Sequence, residues 1–121
     1  MKFLIVDDSP FWRQFVGTVF KDHDLSECRD GAEALDAYAE GRPDWVLMDV
    51  HMAGMDDLTA ARRIKARFPE ARIIFVTECA DPKSEAEATE IGAEGFVVKE
   101  DFFDVFGIVY GHTQKTAVCG A

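Results

Sequence analysis

Five short segments rich in strand-forming residues, separated by stretches with helical spacing, most constrain the fold of this chain. Four of them are continuously apolar, which is typical of strands buried on both faces of a sheet. Such alternation of strands and helices predicts a parallel sheet covered on both faces, the doubly wound α/β class. The predicted strands are Phe3–Val6, the weaker Leu25–Arg29, Trp45–Met48, Ile73–Val76 and Phe96–Val98.

Capping residues and helix breakers mark the predicted helices. Ser9 and Pro10 fit an N-cap and a first helical position, and Gly41 and Gly92 follow helical patterns as terminators. The predicted helices are Pro10–Asp22, Ala32–Glu40, 57–68, 82–91 and Asp101–Tyr110. Six apolar residues share one face of the first helix, which we expect to face the core: Phe11, Trp12, Phe15, Val16, Val19 and Phe20. At 121 residues the chain has the length of one domain, which we expect to span residues 1–112, with a short C-terminal tail at 113–121.

The charge balance disfavours two classes of partner. The chain carries 13 Lys and Arg against 23 Asp and Glu, a formal net charge of −10, and a field of this sign repels nucleic acids and anionic membrane surfaces. No stretch of the sequence approaches the ~18 apolar residues of a membrane span. The three cysteines lack CxxC or metal-ligand spacing, so we expect free thiols in the reducing cytoplasm.

Polar residues directly follow four of the predicted strands: Asp7 and Asp8 after the first, Asp49 after the third, Thr77 after the fourth and Lys99 after the fifth. Each of these residues alone is more often a turn or cap residue. In a doubly wound sheet, however, ligands bind at the carboxyl ends of the strands. If strands one and three are neighbours, three carboxylates converge there, and they require a cation to remain ionised together.

This set of side chains predicts a site that handles a phosphoryl group. Mg²⁺ suits clustered carboxylates because it binds one or two of them together with water and phosphate oxygens. Lys99 would neutralise charge on the transferred oxygens, and the Thr77 hydroxyl would donate a hydrogen bond to one of them. Asp49 is the best candidate for the nucleophile because it is central in the predicted site and a flexible loop follows it.

Several motifs along residues 2–110 match one known family. They are Val6-Asp7-Asp8-Ser9, the segment from Val46 to Met52, the Gly54-Met55-Asp56 turn, Thr77 after the fourth strand, the segment from Gly92 to Phe96, and Lys99. Each motif is modest alone, but their joint occurrence in this order is specific. The sequence therefore resembles the receiver domains of two-component response regulators, and the resemblance implies the flavodoxin-like strand order 2-1-3-4-5 with helices on both faces.

The resemblance implies a role for each site residue. Asp49 would accept a phosphoryl group from a phosphohistidine on a sensor histidine kinase or histidine phosphotransfer protein. Asp8, Asp49 and the backbone carbonyl of His51 would hold Mg²⁺, with Asp7 acting indirectly. Lys99 would pair with the phosphoryl oxygens.

The resemblance also implies a switch and an output surface. Thr77 and Phe96 would form the switch pair, in which the hydroxyl moves toward the phosphoryl group and the ring turns inward. A downstream protein would read this change on the face formed by helix four, strand five and helix five, where we expect Phe103 to be exposed. Phosphorylation adds about −1.5 to −2 charges, which is enough to bias a two-state arrangement.

Some positions depart from the family pattern. The residue after Lys99 is Glu100 instead of the usual proline, so this peptide bond is either trans, with Lys99 placed somewhat differently, or a strained cis bond. Glu78 replaces a small residue beside the acceptor and should slow phosphotransfer from small donors. Together with His51, and with Cys79, which we expect to be a small buried thiol, Glu78 would tune the lifetime of the aspartyl phosphate.

We expect a stand-alone receiver domain with no output domain, which promotes only its own phosphotransfer and autodephosphorylation. The departures at Ala53, Glu78 and Glu100 leave open a phosphorylation-independent adaptor with the same fold. A Mg²⁺-dependent phosphatase or phosphotransferase acting on small molecules is disfavoured, because the position two residues beyond Asp49 is His51 and not a second acid.

Overall fold

The structure is a computed structural model that describes residues 1–50, 56–79 and 81–119. For residues 56, 57 and 112–119 the description is limited to the backbone. The implied magnesium ligand His51, the Gly54-Met55-Asp56 turn and Ala53 therefore lie wholly or partly outside the described residues and stay predictions.

Within the described residues, five strands and five α-helices alternate along the chain, as the sequence predicts. The strands are β1 (Lys2–Val6), β2 (Asp24–Cys28), β3 (Trp45–Asp49), β4 (Ile73–Thr77) and β5 (Gly95–Val98). The helices are α1 (Pro10–Val19), α2 (Gly31–Gly41), α3 (Asp56–Arg67), α4 (Pro82–Ile91) and α5 (Asp104–Cys119), and a 3₁₀ turn at Lys99–Asp101 follows β5. In the ranges described, no helix is both long enough and apolar enough to cross a membrane.

The sheet is parallel throughout, with the strand order 2-1-3-4-5, so the predicted fold class and order are confirmed. β1 and β3 are neighbours, and Val6 pairs with Met48. On the next pair of strands, Asp49 lies opposite Val76. The residues that follow β1, β3 and β4 therefore meet at one edge of the sheet, as parallel pairing requires.

Two apolar clusters, one on each face of the sheet, form the core because successive strand residues point to opposite faces. On one face, strand residues such as Val46, Met48 and Phe75 pack under α2, α3 and α4. On the other face, Leu47 and Val76 belong to the cluster that packs under α1 and α5. This division places α1 and α5 side by side, next to the carboxyl end of β5.

The last helix starts later and ends later than predicted. The residues predicted to begin it, from Asp101, close a 3₁₀ turn in which the Phe102 amide donates to the Lys99 carbonyl at 3.1 Å. The α-helix starts three residues later and its backbone continues to Cys119, through most of the predicted tail. After Gly111 the sequence contains no proline, and Gln, Lys and Ala favour continued helix.

The first helix has the predicted start and an earlier end. The Ser9 hydroxyl accepts a hydrogen bond from the Trp12 amide at 3.2 Å, and Pro10 occupies the first turn, so the predicted N-cap is confirmed. The helix ends at Val19, three residues before the predicted end at Asp22. The chain then turns into β2, which starts at Asp24.

Gly92 provides a test of backbone conformation. It ends α4 with φ of 93°, and its amide donates to the carbonyls of Ala88 and Thr89. An alanine in this left-handed conformation costs ~1 to 2 kcal/mol, so Gly92→Ala should lower the free energy of unfolding by about 1 kcal/mol. Urea denaturation, followed by circular dichroism, measures the change.

Gly41→Ala is the matched control. Gly41 was predicted to follow α2 as a terminator, but it lies inside the last turn and Arg42 is the C-cap. A Cβ atom added at Gly41 has no neighbour within 4 Å. Alanine is the better helix former, so this variant should unfold at the wild-type urea concentration or slightly above it. Equal stability of the two alanine variants would contradict the role assigned to Gly92.

Candidate functional site

Three carboxylates converge where β1 and β3 end. Asp7, Asp8 and Asp49 each place one carboxylate oxygen within 4.8 Å of the others. The side chains of Asp7 and Asp49 are buried, whereas Asp8 is exposed. The predicted convergence is therefore present, and it exists because β1 and β3 are neighbours that end at the same level.

Lys99 supplies the positive charge of this cluster. Its ammonium lies 2.9 Å from Asp7 Oδ2 and 3.8 Å from Asp49 Oδ2, and the side chain is only 14% exposed. Burying a carboxylate without a partner costs several kcal/mol, so this ion pair is a condition for placing two aspartates inside the fold. Three carboxylates and one ammonium leave a formal charge of −3 + 1 = −2.

Asp7 is fixed from several sides. Its Oδ1 accepts from the Ser9 amide at 2.8 Å, and its carbonyl accepts from Arg13 Nη1 at 2.7 Å. Its own amide donates to the Cys28 carbonyl of β2 at 3.1 Å. Arg13 in turn pairs with Glu27 at 3.0 Å. These contacts lock the end of β1 to α1 and β2, so that Asp7 Oδ2 faces Lys99 in one orientation.

The two predicted switch residues lie on neighbouring strands. Thr77 is the last residue of β4, one position beyond the Val76 that pairs with Asp49, and it is buried. Its hydroxyl donates to the Cys79 carbonyl at 3.2 Å. Phe96 on β5 is half-buried and packs against the core cluster under α2, α3 and α4.

The structure answers two questions that the sequence left open. All peptide bonds within the described ranges are trans, so Lys99–Glu100 is trans and the cis alternative is wrong. Cys79 is exposed, together with Glu78, in the loop after β4, so the expectation of a buried thiol there is wrong as well. The chain turns outward directly after Thr77, and for this reason the side chains that follow it reach solvent.

Sequence reasoning assigned Trp12 to the apolar core and missed its contact with the site. Lys99 Nζ lies 4.7 Å from the centroid of the indole ring, within the range of a cation–π interaction. A cleft of about 390 Å³ opens beside this contact, and it is lined by Ser9, Phe11, Trp12, Glu78, Lys99 and Glu100. The sequence signal that could have indicated this contact is the position of Trp12 in the first turn of α1, because α1 starts close to the carboxyl ends of the strands.

Exposed aromatic side chains form a stripe on α1 and at the start of α5. Phe103 is 62% exposed, which confirms its predicted exposure, whereas its place on the α4–β5–α5 face stays a prediction. Phe11 and Phe15 on α1, at 83% and 40%, were predicted to lie on an inward face. The rings of Phe15 and Phe103 lie 6.4 Å apart, and Phe103 stacks on Phe106. The stripe thus spans the α1–α5 junction and does not lie on α4.

Known proteins share this arrangement. The profile of the response regulator receiver domain family matches residues 3–104. This chain belongs to the response regulator receiver domain family. The chemotaxis protein CheY of Listeria monocytogenes is 36% identical over 102 residues, which cover 82% of this chain and 86% of the relative. CheY of Bacillus subtilis is 35% identical over 101 residues, which cover 81% and 84%.

Solved structures share the fold. Chemotaxis protein CheY4 of Vibrio cholerae aligns with a TM-score of 0.77 at 27% identity, over 87% of this chain and 94% of that one. A response regulator of the LuxR family from Aurantimonas aligns with a TM-score of 0.75 at 30% identity, over 81% and 73%. Receiver domains are in general non-enzymatic signalling modules that act as phosphorylation-dependent switches. They generally bind Mg²⁺ at an acidic pocket, and Asp7, Asp8 and Asp49 form such a cluster in this chain.

Cys28 and Cys79 differ in burial and should therefore differ in reactivity. Cys28 ends β2 inside the core, where burial and then the nearby carboxylates of Glu33 and Asp30 raise the pKa of its thiol to about 11. In the unfolded chain the ordinary pKa of this thiol is about 9, so the unfolded state gains a thiolate before the folded state does. The free energy of unfolding therefore falls as the pH rises from 9 to 11. Near neutral pH it stays protonated and inert.

We expect iodoacetamide at pH 8 to alkylate Cys79 in the folded protein and to leave Cys28 unmodified. The thiolate is the nucleophile, and Cys79 is exposed whereas Cys28 is buried and protonated. Peptide mass mapping locates the label, and the same reaction in urea, where both sites should react, is the control. Alkylation of native Cys28 at the rate of Cys79 would refute the assignment.

Proposed function

We propose that this receiver domain accepts a phosphoryl group on Asp49 from a phosphohistidine of a sensor histidine kinase or histidine phosphotransfer protein. The observation that carries the proposal is the buried carboxylate of Asp49 at the end of β3, with the Lys99 ammonium 3.8 Å away and two further carboxylates beside it. The family membership supports a switch of this kind. The free thiols Cys28 and Cys79 are consistent with a cytoplasmic setting.

In the proposed transfer, an Asp49 carboxylate oxygen attacks phosphorus and forms a P–O bond while the P–N bond to the donor imidazole breaks. The electron pair of the broken bond returns to the imidazole nitrogen. Lys99 moves from its carboxylate partners to an oxygen of the phosphoryl group and neutralises its charge. The reaction acts on the protein itself, and hydrolysis of the acyl phosphate later restores the carboxylate.

The oxygen ligands of the cluster fit Mg²⁺. Asp8 is exposed and Asp49 is buried, and each brings a carboxylate oxygen into one small volume, while Asp7 is engaged by Lys99 at 2.9 Å and by the Ser9 amide. We propose Asp8, Asp49 and the carbonyl of His51 as the ligands, with Asp7 supporting them indirectly. When bound, the ion neutralises charge on the phosphoryl oxygens.

The switch that we propose starts at Thr77. Its hydroxyl is tied to the Cys79 carbonyl by one hydrogen bond at 3.2 Å, which it exchanges for a bond to the phosphoryl group. The loop after β4 follows the hydroxyl, and the half-buried Phe96 ring fills the space that it leaves. A downstream protein would read the change on the face of α4, β5 and α5. Glu78, Cys79 and His51, close to the acceptor in sequence or space, would tune its lifetime.

Asp49→Asn should abolish phosphorylation. The amide is not a nucleophile toward phosphorus, and the change preserves the size of the side chain. Incubation with acetyl phosphate and Mg²⁺, followed by intact-mass measurement, should show one added phosphoryl group on the wild-type protein and none on the variant. Asp36→Asn, the same change at an exposed position of α2, should label like the wild type. Equal labelling of Asp49→Asn would falsify the assignment of the acceptor.

Glu78→Ala should accelerate phosphorylation by acetyl phosphate. Glu78 lines the cleft beside Lys99, so its carboxylate repels an anionic donor that approaches the site. A repulsion of about 1 kcal/mol, as Coulomb's law gives for exposed charges at short range, corresponds to a roughly five-fold change in rate. The rate of mass gain at matched Mg²⁺ measures it. Glu90→Ala, which removes an exposed carboxylate on α4, is the control, and identical rates for both variants would overturn the role of Glu78.

A further inference from the structure

The indole of Trp12 lies between the phosphorylation site and the start of α5. Its backbone amide is fixed by the Ser9 cap at 3.2 Å. Its ring packs edge-on against the buried Phe102 at 5.1 Å and against Phe15 at 5.1 Å. These contacts hold the ring in place, and its centroid lies 4.7 Å from Lys99 Nζ. The indole is therefore a fixed surface against which the lysine side chain rests.

The Lys99 ammonium requires such a surface because competing anions lie nearby. The side chain has four flexible carbon atoms, and holding it in one position costs up to ~2 kcal/mol of conformational entropy. The cleft that it faces is rimmed by the exposed carboxylates of Glu78 and Glu100. An unsupported ammonium would divide its time between these carboxylates and the buried pair Asp7 and Asp49.

The peptide geometry after Lys99 makes this support more important. The bond to Glu100 is trans, and the chain enters a 3₁₀ turn at Lys99 itself. No proline ring restrains the backbone at this point. The position of the ammonium is therefore set by the side-chain contacts that reach it: Asp7 at 2.9 Å, Asp49 at 3.8 Å and the face of Trp12.

We propose that Trp12 is a positioning residue for phosphoryl transfer: the face of its indole holds the Lys99 ammonium beside Asp49 and away from Glu78 and Glu100. The inference rests on the proposed function of Asp49, and it adds that α1, through Trp12, helps to position Lys99 for phosphoryl transfer. The contact is a cation–π interaction, so its strength follows the ring and not the volume of the side chain. An aromatic replacement should preserve it and an aliphatic one should not.

The test compares Trp12→Phe with Trp12→Leu in phosphorylation by acetyl phosphate with Mg²⁺. Trp12→Leu should lower the maximal rate about five-fold, as the loss of a cation–π contact of ~1 kcal/mol predicts, and Trp12→Phe should restore most of it. Phe106→Leu is the matched control, because it removes a half-buried ring that packs on Phe20 and Phe103, and among the described residues it has no contact to Trp12 or Lys99. A wild-type rate in Trp12→Leu, or an equal loss in Phe106→Leu, would overturn the proposal.

A second measurement does not depend on phosphorylation. Protons above the face of an aromatic ring shift upfield in NMR spectra, so the ε-methylene protons of Lys99, assigned with a Lys99→Arg variant, should be shifted in the wild type and in Trp12→Phe. The shift should vanish in Trp12→Leu. An unshifted Lys99 in the wild type overturns the proposal. If the Lys99 proton signals are shifted but acetyl phosphate does not phosphorylate the wild-type protein, the function proposed for Asp49 is overturned and the contact between Trp12 and Lys99 is retained.

Discussion

The ion pair between Lys99 and Asp7 is the interaction on which the site depends. Two aspartates are buried side by side at the ends of β1 and β3, and this arrangement is stable only with a compensating positive charge. Lys99, directly after β5, provides this charge across the intervening strand β4. The parallel sheet order thus has an electrostatic consequence: it brings residues from distant parts of the chain into one pocket, where a single ammonium offsets part of the charge of three carboxylates.

The architecture was predictable because continuous apolar runs and cap residues are local signals. The predicted alternation of strands and helices agrees with the structure, and the N-cap at Ser9 is confirmed. The strand order and the site roles, in contrast, came from the resemblance to a family. Ends of elements such as α1 and α5 were less predictable, because 3₁₀ turns and frayed last turns depend on tertiary contacts that no local pattern encodes.

What the sequence could not provide is the contact between side chains from different elements. Trp12 fits the spacing of a core residue equally well whether or not an ammonium rests on its ring. Cys79 and Cys28 are the same residue type, but the chain turns outward after Thr77 and exposes the first, whereas the second ends β2 inside the core. Helical spacing predicts which face of a helix is buried, and at the junction of α1 and α5 it placed Phe11 and Phe15 on the buried face although both are exposed.

The aromatic stripe at this junction has a consequence for how copies of the protein behave toward one another. Exposed rings favour self-association, because burying them removes apolar surface from water. Each molecule carries a net charge of −10, so at neutral pH electrostatic repulsion opposes such encounters. That repulsion fades near the isoelectric point of about 4.6 and is screened by salt. The negative charge of the chain therefore also opposes self-association through the aromatic stripe and provides colloidal stability.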